Sequence, residues 1–328
     1  MSKILVTGGA GYIGSFMVRE LKSKGFDVVI LDNLSQGHEA AVKDFRLEKI
    51  DLVTEKQKLD SLLSSEKFDG VIHMASFIQM GESYKDPSKY YKNNVVGFLN
   101  LLDSMKENNV MNIIFSSSAG IYGNPTRVPI LEEDPKNPLN PYGETKYQIE
   151  RILEDYDIAY GIKFAAIRYF NAAGAALDGS IGEAHPEESH LIPNIIKSAL
   201  NNSEFNLFGD DYDTPDGTCV RDYIHVLDLV ETHSLALQKL ISGSPSAFYN
   251  AGIGRGYSNR EVIETVEKAT GLKIRVNTLP KREGDANALY ADITKIMNDL
   301  DWSPKYGLEE IVRSAYLWHK GSPSGYNE

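Results

Sequence analysis

The run Thr7-Gly8-Gly9-Ala10-Gly11-Tyr12-Ile13-Gly14 follows directly on the apolar stretch Ile4-Leu5-Val6 and leads into a helix-like pattern. Glycines here permit a turn too tight for a side chain, let backbone N–H groups come close to a ligand, and let the next helix press on the strand. The helix N-terminus then offers partial positive charge to a pyrophosphate. A glycine triplet by itself is equally satisfied by a strand-to-helix turn that holds nothing. The next strand-like run, Asp27-Val28-Val29-Ile30-Leu31, separates the two readings because it ends in Asp32. A carboxylate roughly 20 residues beyond such a turn accepts the hydroxyls of an adenosine ribose and repels a 2′-phosphate. The pattern predicts NAD rather than NADP.

Further strand-like runs lie at Phe68 to Met74, Asn112 to Ser116 and Lys163 to Tyr169, with helix-length amphipathic stretches between them. This βαβ rhythm predicts an α/β fold, a Rossmann-type doubly wound parallel sheet. Its helices are expected near Ile13 to Lys24, Glu55 to Ser65, Ser88 to Asn108 and Tyr142 to Tyr160. After Asn171 the pattern loosens into Gly-, Pro- and Asp-rich loops, with helical segments at Leu191 to Leu200, Leu227 to Ile241, Asn259 to Thr270 and Leu308 to His319. The expected division is a cofactor domain over 1–175, to which a segment near 219–242 returns, and a smaller C-terminal α/β substrate domain over 176–328.

Of the 328 residues, 42% are hydrophobic and 24% charged, enough for a large core. The formal net charge of −12 argues against nucleic acid or anionic membrane as partner, since both need a basic face. A single cysteine, Cys219, excludes an internal disulfide and fits a reducing compartment. No signal peptide or membrane-length apolar run is evident, so the cytoplasm is the expected location.

Tyr142 and Lys146 are spaced i, i+4 behind Pro141, which places both on one face at the start of a helix. A tyrosine with a pKa near 10 is a poor base, but a neighbouring lysine and a cationic nicotinamide would both favour its phenolate. Such a tyrosine could take a proton from a substrate hydroxyl as hydride leaves the same carbon. The same spacing also occurs as a packed ring beside a solvated amine. Ser116-Ser117-Ser118 closes a strand at the carboxyl edge, where open α/β sheets place ligands. A serine there could bridge substrate and tyrosine, or merely cap a turn. With the glycine turn and Asp32, the catalytic reading is preferred.

The segments TGGAGYIGS (7–15), LDNLS (31–35), SSSAGIYG (116–123), PYGETK (141–146), RYFNAAGA (168–175), DGTCVRDYIHV (216–226) and REGD (282–285) resemble the extended short-chain dehydrogenase/reductase family, and within it the UDP-galactose 4-epimerase branch. The resemblance runs nearly end to end. It implies Ser118, Tyr142 and Lys146 as catalytic residues. It implies NAD along Gly8, Gly11, Tyr12, Ile13 and Gly14, then Asp32, Asn33, Leu34, Ser35 and Gly37, with Asp51 and Leu52 near the adenine. Met74, Ala75, Ser76, Phe77, Asn93 and Phe170 would follow the rest of the cofactor. A UDP-hexose would be held by Asn171, His190, Leu191, Asn206, Phe208, Arg221, Arg282, Asp285 and Leu289. Arginine forks match phosphate oxygens and Asp285 could accept from ribose hydroxyls, although each arginine could also serve as a surface ion pair.

The activity so implied interconverts UDP-galactose and UDP-glucose through a 4-keto sugar, with NAD regenerated in each cycle. A 4,6-dehydratase or decarboxylase of the family shares the first oxidation. Dehydratases, however, carry an Asp-Glu pair after the strand-end hydroxyl, where this chain has Ala119-Gly120-Ile121. A non-enzymatic NAD-binding sensor is the alternative from another class, but would not need the Ser-Tyr-Lys set. A uronic-acid epimerase would need a dedicated cation in the sugar pocket, and none is identified. Departures from the family pattern fall at Ile78, often a lysine, at His190, often an asparagine, and at Leu289. Some galactose-specific relatives carry tyrosine at that last position, so its size bears on N-acetylated sugars. Pocket volume discriminates by only about 1–3 kcal/mol per small group. The helices around Ser88–Asn108 and Tyr142–Tyr160 resemble those that pair in a homodimer. For His185 and His190 no companion ligand cluster is apparent, so no metal is expected.

Overall fold

The structure is a computed structural model that describes residues 2–326 apart from 186, 283 and 284. Two members of the REGD segment, Glu283 and Gly284, therefore lie outside the described residues. In chain order the strands are β1 (Lys3–Thr7), β2 (Asp27–Asp32), β3 (Arg46–Lys49), β4 (Gly70–His73), β5 (Asn112–Ser116), β6 (Lys163–Tyr169), β7 (Asn171–Ala173), β8 (Glu204–Phe208), β9 (Val220–His225), β10 (Ala247–Ala251), β11 (Gly256–Ser258), β12 (Arg275–Leu279) and β13 (Ala288–Leu289). The helices are α1 (Tyr12–Ser23), α2 (Lys56–Ser65), α3 (Met80–Lys85), α4 (Pro87–Tyr90), α5 (Gly97–Glu107), α6 (Pro141–Tyr160), α7 (Leu191–Leu200), α8 (Val226–Ile241), α9 (Asn259–Thr270), α10 (Thr294–Leu300) and α11 (Leu308–Gly321).

Ile4, Leu5 and Val6 are wholly buried, as a strand covered on both faces requires. The sheet they belong to has seven strands in the order β10-β6-β5-β4-β1-β2-β3, all pairs parallel. Alternation along the strands sends Ile4 and Val6 to one side, with Ile30, Ile72 and Ile114, under α1 and α8. Leu5 goes to the other, with Val29, Val71 and Phe115, under α2, α5 and α6. The order turns back between β1 and β4, which opens the crevice where doubly wound sheets bind ligands.

The sheet thus recruits α8 and, as its edge strand, β10, which lies beyond residue 242. A second core gathers Ile192, Ile195, Val262, Val266, Ile311 and Val312 from α7, α9 and α11. Strand β9 runs between β11 and β13 and also pairs with β7, while β8 pairs with β12. One expectation is corrected. The stretch from Ser88 to Asn108 is not one α-helix, because Tyr91–Val96 widens into a π-helical turn between α4 and α5. Such turns reposition side chains near functional sites. Among the described residues no helix is long and apolar enough to cross a membrane.

Two glycines of the opening run have no substitute. Gly8 has φ +72°, and a Cβ there would stand 2.6 Å from Ala75 N; at Gly14 a Cβ would stand 2.1 Å from Gly8 O. Backbone meets backbone at both points, so nothing flexible can yield. Gly14→Ala is expected to destabilise the fold by roughly 2 kcal/mol or more and to abolish dinucleotide retention. Urea unfolding and the nucleotide content of the purified variant check this, and wild-type values for both would refute it.

Candidate active site

The glycine turn is closed by Gly8 N donating to Leu31 O at 2.8 Å and Gly11 N to Gly8 O at 3.2 Å. Asp32 is buried at the end of β2, and its two oxygens accept from Ala10 N (2.9 Å) and Leu34 N (2.8 Å). Burial raises its pKa, and those two backbone bonds act in the opposite sense. The carboxylate therefore ties β2 to the glycine turn while its oxygens keep lone pairs for further donors. A cleft opens here between Gly8, Gly11, Asp32, Asn33, Ser35 and Gly37 on one side and Leu52, Met74, Ala75, Ser76, Phe77 and Asn93 on the other. Gln36 and Ile50 also line it, which their sequence context gave no reason to expect.

Six expected cofactor residues lie outside that lining. Tyr12 donates its hydroxyl to Gly174 O at 2.6 Å, Ile13 packs on the core, and Gly14 backs Gly8. Leu34 takes a positive φ of 59° in the turn after β2. Asp51 accepts from Asn33 Nδ2 at 2.7 Å and from the backbone of Val53 and Thr54. Phe170 packs with Ala119, Ile121 and Tyr122. A residue the sequence reading missed, Asn94, sits in the π-helical turn. It accepts from Phe77 N (2.9 Å) and donates to Phe77 O and Thr145 Oγ1 (both 3.1 Å), so it clamps the cleft wall to α6.

Helix α6 starts where it does because Asn140 Oδ1 caps Gly143 N at 2.8 Å and Pro141 occupies the first turn. Its first face carries Tyr142, Lys146 and Glu150, all buried. Lys146 Nζ donates to Ser76 Oγ and to Ser116 O, both at 2.8 Å, and lies 5.8 Å from the centroid of the Tyr142 ring. Burial lowers the lysine pKa to about 7, with the Glu150 charge opposing. Ser118, at the end of the serine run, accepts from Gly120 N at 3.0 Å.

Tyr142 is buried on the same face of α6 as Lys146. Burial raises the tyrosine pKa, and the Ser118 hydroxyl is the group that acts against this. Behind the trio, Glu150 takes two bonds from Arg168, Nε to Oε1 at 2.9 Å and Nη2 to Oε2 at 2.8 Å, and a third from Ser117 Oγ at 2.6 Å.

A second groove runs from Ile78–Glu82 to the substrate-domain side. Asn171, His190, Leu191, Asn206, Phe208, Arg221, Arg282 and Asp285 all line it. Arg282 stacks on Phe208 with its guanidinium carbon 3.9 Å from the ring centroid. Arg221 donates to Val220 O and Ala286 O and lies 3.6 Å from Asp285 Oδ1. Leu289 is not part of that wall. It packs against the cluster that contains Ala119, Ile121, Tyr122 and Phe170. The exposed Ile78 lines the groove rather than the cleft of the glycine turn.

The view that His185 and His190 lack companions is also corrected. Glu183 and Glu188 join them, and one ligand atom from each of the four residues lies within 4.8 Å of the others. Both imidazoles face carboxylates, which raises their pKa values against the effect of burial, to about 9 for His185 and about 10 for His190. Spacing within HPEESH contained the signal, but Glu183 lies before it and only the fold of the loop turns it inward.

The NAD dependent epimerase/dehydratase family matches residues 4–252 of the chain. A UDP-glucose 4-epimerase of Lactobacillus helveticus is 48% identical, over 99% of both chains. The crystal structure of a Brucella ovis UDP-glucose 4-epimerase in complex with NAD superposes with a TM-score of 0.93 at 42% identity, over 96% of this chain and 98% of that one. A Bifidobacterium longum UDP-glucose 4-epimerase in complex with NAD+ and UDP gives 0.93 at 38% identity, over 99% and 100%.

Glu150→Ala leaves the Arg168 guanidinium buried without its partner. The expected cost is about 3–5 kcal/mol in chemical denaturation, and a loss below about 1 kcal/mol would show that the pair does not hold the site.

Proposed function

The chain belongs to the NAD dependent epimerase/dehydratase family, and from that premise we propose that it interconverts UDP-galactose and UDP-glucose through a bound 4-keto sugar. The observation that carries this reading is the buried Lys146, on the same face of α6 as Tyr142, whose Nζ donates at 2.8 Å to Ser76 Oγ in the wall of the glycine-turn cleft, in a chain that also forms an arginine-bearing groove. The cleft fits NAD, since a Cβ at Gly8 or Gly14 would close the turn and Asp32 is held in place by backbone donors. Held there, NAD would supply the hydride acceptor for the sugar C4 and, once reduced, the donor that returns it.

Tyr142 takes the proton of the 4-hydroxyl, with Ser118 positioned to relay it, and gives it back when C4 is reduced from the opposite face. Lys146 holds Ser76 at the cleft wall and supplies positive charge as the phenolate forms. Arg221 and Arg282 anchor the pyrophosphate while the sugar turns over, so affinity resides in the nucleotide and the hexose is held loosely. Asp285 accepts from the uridine ribose, and His190 and Leu191 meet the phosphates at the start of α7. Ala119 follows Ser118 where an eliminating relative would carry an acid, which disfavours the dehydratase reading.

The reducing compartment implied by one buried, unpaired cysteine is the cytoplasm. Exposed Val96 ahead of α5 and Ile158 and Tyr160 on α6 are suited to pairing with a second copy, and sedimentation as a monomer alone would refute that.

Incubation of the purified protein with UDP-galactose, without added NAD, is expected to yield UDP-glucose, and a parallel arm with UDP-N-acetylgalactosamine tests the room beside Leu289. Loss of Tyr142 as general base predicts a fall in kcat of about 10²–10⁴ for Tyr142→Phe, with NAD still bound. Full turnover by that variant would overturn the assignment. Arg282→Ala is expected to raise KM by roughly 10-fold or more while leaving kcat within about threefold; an unchanged KM would place the pyrophosphate elsewhere.

A further inference from the structure

The loop before α7 gathers three groups that the epimerase chemistry does not use, Glu183, His185 and Glu188, around the Nδ1 side of His190. Glu183 Oε1 stands 3.0 Å from His185 Nδ1 and 2.7 Å from His190 Nδ1, and Glu188 Oε1 stands 3.9 Å and 3.2 Å from the same two nitrogens. Both carboxylates are nearly inaccessible, with 4% and 6% of their side chains exposed. Despite these short separations, Glu183 Oε1 makes no hydrogen bond of acceptable geometry, and neither does Glu188 Oε2. Glu188 Oε1 by contrast is hydrogen-bonded, to His190 Nδ1 at 3.2 Å and to the backbone N–H groups of Ser189 and His190 at 3.0 Å each, so the unmet capacity lies on one oxygen of each carboxylate.

The surrounding charges leave the same gap. Lys197 Nζ approaches Glu188 Oε2 only to 3.6 Å, and burial together with the Lys197 charge lowers the His319 pKa to about 4, so that ring is neutral. Tyr12 faces both carboxylates and burial keeps its phenol protonated. The start of the loop is meanwhile held: Trp318 Nε1 donates to Glu183 O at 2.8 Å and the Tyr326 hydroxyl to Gly182 O at 3.0 Å.

We propose that Glu183, His185, Glu188 and His190 form a four-coordinate site for one divalent transition ion of the zinc class. Two imidazoles and two carboxylates match the borderline donor preference of Zn²⁺ and leave no reason for Mg²⁺ to bind. Separations of the kind seen here are close to the roughly 3.3 Å between ligand atoms of a tetrahedral site with bonds near 2.0–2.1 Å. The ion takes the place of the two imidazole protons and neutralises both carboxylates, so its affinity falls as pH falls. Its place is structural. It closes the loop between the cofactor sheet and α7, where His190 and Leu191 enter the groove.

The test is metal analysis of the NAD-loaded chain purified without chelator, with calorimetric titration of ZnCl₂ into chelator-treated protein and MgCl₂ as control. One equivalent of Zn²⁺ and no Mg²⁺ is expected. Glu183→Gln and His185→Asn should each weaken zinc binding by more than the about 10- to 100-fold that follows loss of an outer-shell partner. Co²⁺ should give the visible ligand-field absorption of a tetrahedral site in the wild type and lose it in both variants. A wild type that takes up no stoichiometric zinc would overturn the proposal, whether or not the variants fold. So would zinc bound equally by folded Glu183→Gln, which would place the ion elsewhere.

Discussion

An ammonium with 1% of its surface exposed constrains everything around it. Desolvating such a charge costs several kcal/mol unless hydrogen bonds replace the lost water, and Lys146 finds two of its acceptors at Ser116 O and Ser76 Oγ. The first can be there only because β5 ends at the carboxyl edge of the sheet. Ser116 is fixed in turn, its Oγ lying 2.9 Å from His233 Nε2, while His233 Nδ1 lies 2.9 Å from Leu229 O. Burial keeps that imidazole neutral, with a pKa near 4. A carbonyl can only accept, so Nδ1 carries the proton and Nε2 receives one from Ser116. One lysine on α6 thereby depends on a strand and on α8 across the opposite face of the sheet.

Glu150 extends the same dependence along α6. Tyr142, Lys146 and Glu150 recur every four residues, so a stripe that would normally be apolar is polar and buried. A carboxylate beside Lys146 without compensation would keep the lysine charged well above neutrality. Arg168 takes up both Glu150 oxygens, which blunts that effect and lets desolvation bring the amine to about 7. Arg168 also donates to the Tyr122 hydroxyl at 2.9 Å, which donates to Asn250 Oδ1 at 2.7 Å, so β10 is joined to the same network.

What could be read from the sequence follows from how local each signal is. The glycine turn, Asp32, the buried strand runs and Pro141 ahead of Tyr142 act within a few residues or one βαβ unit, and their placement in the fold follows from that. Residues that depend on a distant partner left no such trace. Arg168 needs Glu150, Asn94 needs a π-helical turn that no periodicity announces, and β10 joins the sheet from beyond the substrate-side segments. Short polar β3, Arg46–Lys49, lacks the apolar alternation of a strand because it lies at the sheet edge. The Glu183–His190 loop shows the limit most plainly: its side chains are written within eight residues, yet the backbone at Gly182 and Glu183 is tied to Tyr326 and Trp318 near the other end of the chain.

Charge supplies the last constraint. A chain of net charge −12 repels an anionic nucleotide at long range, so capture has to rely on local cations. Arg221 and Arg282 meet that need with opposite supports. Arg282 lies over the Phe208 ring, which orients the guanidinium without neutralising it. Arg221 is anchored by two carbonyls, and Asp285 stands near enough to be displaced from it rather than locked to it. On the proposed reading, an incoming pyrophosphate would meet one cation held over a ring and another that would exchange a carboxylate for phosphate oxygens, leaving Asp285 to accept from a ribose.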